Sequence, residues 1–223
     1  MAISKFNYNS FNVTPVAGNA LSFNSDADGF TTASGSSMIL IKTLTASSSA
    51  TLSFVNGSSD VVLDDTYPVY LFKFINMHPA TNATSFTFNL SIDSGSNYNV
   101  TKTTTFFRTY HNEDDSQAAL EYQASQDLAQ GTGFQPLAND MTTDADGSCG
   151  GTLTIFNPSS TTFVKHFLAT TSHMAASGTN RYNYELFTAG YGNTTSAVNA
   201  VQFKMSSGNI DAGTIKLYGI KDS

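Results

Sequence analysis

The chain has little of what would hold a fold together covalently or advertise a reaction. It has one cysteine, Cys149, in 223 residues, so no disulfide can form within it. Tryptophan is absent and proline occurs five times. Charged residues make up 12% of the chain, about half the roughly 25% of an average domain. No stretch approaches the roughly 18 apolar residues of a membrane span, which excludes a membrane-crossing helix. The N-terminal residues, Met1-Ala2-Ile3-Ser4-Lys5-Phe6, contain no apolar core of a secretory signal. Ten basic residues stand against 17 acidic ones, giving a net charge of −7. No short window gathers three lysines or arginines, so the clustered positive charge that binds a phosphate backbone is missing and nucleic acid is not an expected partner.

Serine, threonine, asparagine and glycine stand where the charge is missing. Their short polar side chains compete for backbone hydrogen bonds, which favours strands and turns over helix interiors. The apolar residues then follow a period of two. Phe86, Phe88, Leu90 and Ile92 alternate with polar residues, as do Leu52 and Phe54. Val69 to Asn76 is the strongest apolar run, bounded by Pro68 and by His78-Pro79. Further strands are expected over Ser37 to Leu44, Val61 to Leu63, Val100 to Tyr110, Tyr182 to Ala189 and Val198 to Met205. Thr152 to Phe156 and Phe163 to Thr170 flank the turn Asn157-Pro158-Ser159-Ser160 and read as a hairpin. Val201 to Met205 and Thr214 to Ile220 flank Ser206 to Gly213 and read as a second hairpin that closes a sheet. Gln130 to Asp140 reads as connection. Residues 113–128 fit either a short helix or a strand.

About ten short strands with at most one short helix make the chain all-β, an antiparallel β-sandwich of jelly-roll type. Residues 1–36 read as an irregular N-terminal arm, whose spaced Phe6, Tyr8 and Phe11 could reach a partner; residues 37–223 read as the β-sandwich domain.

Signals for chemistry are sparse. The four histidines, His78, His111, His166 and His173, show no spacing that holds zinc. His166 shares its parity with Val164 and Leu168, which suggests a core or edge position. Two copies of Asp-x-Asp-Gly, at Asp26/Asp28 and at Asp144/Asp146, resemble fragments of a calcium loop. Both lack the later acidic ligand that would complete one. Cys149 lies in the turn-rich Asp146-Gly147-Ser148-Cys149 with no base beside it. Tyr182, Tyr184 and Tyr191, near Arg181, could stack on a sugar or fill the core. No catalytic residue, cofactor or metal is expected from these patterns.

The segment Ser207 to Gly219, ending in Gly213-Thr214-Ile215-Lys216-Leu217-Tyr218-Gly219, resembles the closing strands of β-sandwich virion proteins of tailed bacteriophages, marine ones especially. Phe72 to Pro79, Asp127 to Gln135 and Phe156 to Phe163 fit the same resemblance. It implies a non-enzymatic virion structural protein made in the host cytoplasm. Such a protein would be a capsid decoration or cement protein, bound to other virion proteins of capsid or tail and homo-oligomeric. The alternative is a tail-fibre or tail-spike component that binds a host-surface glycan. No coiled-coil or repetitive shaft favours that alternative.

Overall fold

The computed structural model describes residues 21–23, 30–32 and 37–221. Contacts divide the chain into two compact units, Met1–Ser37 and Met38–Ser223. In the first, β1 (Leu21–Phe23) and β2 (Phe30–Thr32) pair antiparallel, and the Phe23 and Phe30 rings stack at 5.0 Å. Phe6, Tyr8 and Phe11 lie outside the described residues.

The second unit is all-β and antiparallel, with no helix among the described residues. Its strands are β3 (Met38–Ser49), β4 (Leu52–Val55), β5 (Val69–Pro79), β6 (Thr84–Ser91), β7 (Lys102–Asn112), β8 (Ala118–Tyr122), β9 (Gln135–Met141), β10 (Cys149–Phe156), β11 (Lys165–Ser177), β12 (Asn180–Gly192), β13 (Ala200–Met205) and β14 (Ile210–Ile220). They form one twelve-stranded sheet that folds over on itself. Setting aside β7, β8, β11 and β12, the pairing is nested. β3 pairs with β14, β4 with β13, β5 with β10 and β6 with β9. Each strand thus meets its counterpart from the other end of the chain. Successive pairs alternate between the two layers, β3-β14-β5-β10 and β9-β6-β13-β4, which is the winding of a jelly roll.

The remaining strands widen the first layer in the order β11-β12-β7-β8. β11 also turns the corner between layers. β10 covers one of its edges as far as His173, and beyond that point Ala175 pairs with Met141 of β9.

The core forms because the period-two residues of both layers face inward. Phe203 of β13 is its centre. Its ring lies 5.3 Å from Phe72, 5.4 Å from Phe74, 5.8 Å from Phe86, 6.2 Å from Phe54 and 6.5 Å from Phe88, contacts that span both layers. Edge-to-face and offset pairs of this kind add roughly 0.5–1.5 kcal/mol each beyond burial. At Gly213 the β14 backbone bulges past β5 with φ of 125°, and a Cβ there would sit 2.7 Å from Met77 Cα.

Four expectations change and one open alternative is decided. Val201 to Met205 and Thr214 to Ile220 alternate as expected but are not a hairpin: β13 pairs with β4 and β6, and β14 with β3 and β5. Alternation reports which face is buried, not which strand lies alongside. β14 is therefore an interior strand of its layer. Gln130 to Asp140 contains β9, whose buried positions include the polar Gln135 and Asn139. Gln135 is kept in place by Thr104, whose hydroxyl donates to its Oε1 at 2.6 Å, and by its own donation to the Gln126 carbonyl at 3.0 Å. Residues 118–122 are strand, paired from Phe107↔Tyr122 to His111↔Ala118. Val61 and Leu63 are buried in a loop, where Asn56 Oδ1 accepts from the Leu63 N–H at 2.8 Å. In β11 the parity is inverted. Lys165, Phe167 and Ala169 point inward, and His166 and Leu168 point out.

Phe203→Ala should cost about 3–5 kcal/mol by leaving a cavity beneath five rings. Urea unfolding measures it; a loss below about 1 kcal/mol would contradict the central position of this ring.

Candidate functional site

Because β11, β12, β7 and β8 run side by side, residues two apart along each strand line up in rows on either face. One row on the outer face runs Lys216↔Lys73↔Thr152↔Thr170↔Phe187↔Phe107↔Tyr122 across seven strands. The row beside it runs Tyr218↔Leu71↔Thr154↔Leu168↔Ala189↔Thr105. Glu185, Thr109 and Leu120 lie in a third. An antiparallel sheet with one face in water ordinarily carries polar residues there. This face carries Thr152, Thr170, Thr154, Thr105 and Thr109 in that way, but among them it exposes Leu120 (69%), Tyr122 (54%) and Leu168 (53%), with Phe107, Ile75, Leu40 and Phe156 also exposed. Phe107 and Phe187 stack at 4.8 Å with their planes 11° apart. Only the strand pairing reveals this surface, since its residues come from segments far apart in sequence.

At one end of the same face the turns 113–117 and 178–179 meet. His111, Asn112, Glu113, Met174, Tyr182 and Asn183 line a cavity of about 330 Å3 there. His111 Nε2 lies 3.0 Å from Asp115 Oδ1. Asn183 Oδ1 accepts from the Ser172 hydroxyl at 3.0 Å. Of the three tyrosines proposed for sugar stacking, Tyr182 and Tyr184 point inward and are buried, whereas Tyr191 is on the outer face beside His166. Alternation along β12 puts odd and even positions on opposite faces, so the three cannot form one platform.

Of the two Asp-x-Asp-Gly sequences, Asp26 and Asp28 lie outside the described residues. Asp144 accepts a hydrogen bond from Arg181 Nε, and Asp146 is exposed. A guanidinium thus already neutralises the carboxylate that would begin a calcium loop. No group of three or more histidine, cysteine, aspartate or glutamate side chains gathers as a metal site among the described residues. Cys149 is buried at the start of β10, and burial pushes its thiol up to about 12, away from the thiolate that a nucleophile needs. His78 Nδ1 lies 3.1 Å from the Gly147 carbonyl.

The inner side of the widened layer holds polar groups that sequence pattern does not reveal. Arg108 packs over the Tyr184 ring at 4.4 Å, and its Nε donates to Glu121 Oε1 at 2.6 Å. Near it His173 Nε2 donates to the Asn139 carbonyl at 2.7 Å. That partner accepts only, which places the proton on Nε2. Burial, with Arg108 adding to it, brings His173 down to about 4.

Two lysines are fully buried, flanking Gly192 in one inner row. Lys165 Nζ donates to the carbonyls of Ser160 and Phe163, both at 2.6 Å, and of Thr194 at 3.2 Å. Lys102 Nζ donates to Asn89 Oδ1 at 2.5 Å and to the Val100 carbonyl at 2.8 Å. Burial lowers Lys102 to about 7. These groups hold loops to strands.

Compared with family models, with curated proteins and with solved structures, the chain matches none.

The unfolded chain protonates His173 near 6.5, whereas the folded chain resists until about 4. The contribution of His173 to stability, full above pH 6.5, should therefore fall as pH drops through this window, by on the order of 3 kcal/mol. His173→Gln should flatten the decline in a series of urea unfolding curves. An equally steep decline in that variant would show that other groups cause it.

Proposed function

We propose that this chain is a non-enzymatic structural protein of a virion, a decoration protein of the capsid of a tailed bacteriophage, and that it assembles through the outer face of its larger layer. The observation that carries the reading is the apolar surface around Leu168, Phe107, Tyr122 and Leu120. Contiguous apolar surface on a soluble domain marks a contact site. A broad sheet face suits another protein surface better than it suits a small substrate, which needs concavity. The resemblance of residues 207–219 to closing strands of phage virion proteins supports the same reading, as does the jelly-roll winding, although a fold alone does not define a function.

A second reading rests on the cavity beside this face. Glu113, Asn183 and His111 offer the planar hydrogen-bonding groups that hold sugar hydroxyls, which suits a tail-fibre or tail-spike protein binding a host glycan.

Wild-type protein should co-sediment with capsids that lack it, and the exposed-site double variant Leu120→Ser/Leu168→Ser should lose most of that binding. Its thermal midpoint should stay within a few degrees, since exposed substitutions cost roughly 0.5 kcal/mol or less. Undiminished co-sedimentation would contradict the docking role of the face. Glycan-array binding that Glu113→Ala abolishes, with no capsid binding, would favour the second reading instead.

A further inference from the structure

The apolar face has a charge pattern across its width. Lys73 of β5 and Lys216 of β14 are direct cross-strand neighbours, so one half of the face is basic. Like charges directly opposite on neighbouring strands repel. Lys73 sits over the Tyr218 ring at 5.5 Å, and no carboxylate is paired with either lysine among the ion pairs of the described residues. On the other half, Glu185 of β12 lies two residues from Phe187 and pairs across to Ser172 and Thr109, neither of them basic. Lys73 and Glu185 are on strands three apart, with β10 and β11 between them. The row Leu71↔Thr154↔Leu168↔Ala189 joins the two halves with uncharged side chains.

We propose that the partner on this face is a second copy of the chain, packed face to face about a twofold axis that runs along the strands between β10 and β11. A rotation about that axis exchanges left and right and keeps the position along the strands. It therefore lays β5 of one copy over β12 of the other, twice. Lys73 comes over the Phe187–Phe107 stack with Glu185 one residue pair along, within reach of its flexible stem. The stacked rings offer their faces to the ammonium group and Glu185 its counter-charge. Leu168 of each copy meets Thr154 and Leu71 of the other. Sheets pack face to face in this aligned way at about 10 Å separation. A self-complementary patch is what a twofold interface requires. A capsid partner would have to supply both charges in mirrored places, whereas a second copy supplies them automatically.

This inference rests on the outer face being the assembly surface and puts a second copy, not the capsid itself, on it; its test separates the two. Sedimentation equilibrium of the purified chain over a dilution series should show a monomer–dimer equilibrium. Lys73→Glu should weaken it by about tenfold or more, because each substitution acts at both symmetric contacts. Glu185→Lys should do the same. The double variant Lys73→Glu/Glu185→Lys should recover most of the association, a result that simple misfolding cannot produce. Raised salt should weaken the wild-type dimer and the double variant alike. A wild-type chain that is monomeric throughout overturns the proposal, even if it co-sediments with capsids, in which case the docking reading stands alone. A dimer that neither charge reversal weakens, or a double variant no better than the singles, overturns the assignment to this face.

Discussion

The second unit is organised around one cluster of aromatic rings centred on Phe203. Phe203 comes from β13, in the smaller layer, and packs against Phe72 and Phe74 of β5 in the larger layer, as well as against Phe54, Phe86 and Phe88 beside it. With no disulfide available, the layers are held by apolar contacts, those of Phe203 together with Phe54–Phe72, Phe74–Phe86 and Phe88–Phe167, and by the corner at Ala175↔Met141. The nested pairing of β3 with β14 and of β4 with β13 joins residues far apart along the chain. Such pairings meet a large loop-closure cost before any contact repays it. A cluster of rings at the centre offsets that cost where the largest number of strands converge.

The strands that widen the larger layer serve another purpose. β12, β7 and β8 are not needed for the jelly-roll winding, yet together with β11 they supply Phe107, Leu120, Tyr122 and Leu168, the most exposed apolar residues of the outer face among them. They are also where the interior is most polar. Lys102 and Lys165 are buried without a carboxylate, each held by oxygen acceptors, and His173 is held neutral by the same lack of solvent. Buried polar groups with defined partners fix one arrangement of neighbouring loops. Here they tie residues 160–163, 194 and 139 to the strands that present the outer face, so the surface proposed for assembly rests on a rigid base.

The sequence revealed the fold class and most strands, because period-two alternation and turn residues report burial directly. Phe86, Phe88 and Leu90 face the core as their spacing requires, whereas Ile92, the next in that series, lies past the end of β6 and is exposed. What alternation does not report is adjacency. The apparent hairpin of β13 and β14 is two strands in opposite layers, and the row Phe187↔Phe107↔Tyr122 exists only once β12, β7 and β8 are paired. The remaining errors share a different cause. Assigning polar residues to the outside misreads β9, where Gln135 and Asn139 are buried, and inverts β11, where Lys165 is buried and Leu168 exposed. Both cases depend on hydrogen-bond partners supplied by distant segments. The candidate site is least legible of all, since the aromatic surface combines four strands and, of the groups at its polar end, the sequence pattern singles out only His111, Tyr182 and Arg181.

Native-state hydrogen exchange on Phe203→Leu tests most directly whether that ring couples the layers. If it does, protection should fall together in β6, in the layer that holds residue 203, and in β5 and β14 of the opposite layer, by similar factors. Loss confined to β13 and its hydrogen-bonded neighbours β4 and β6, with β5 and β14 unchanged, would contradict a core organised around Phe203.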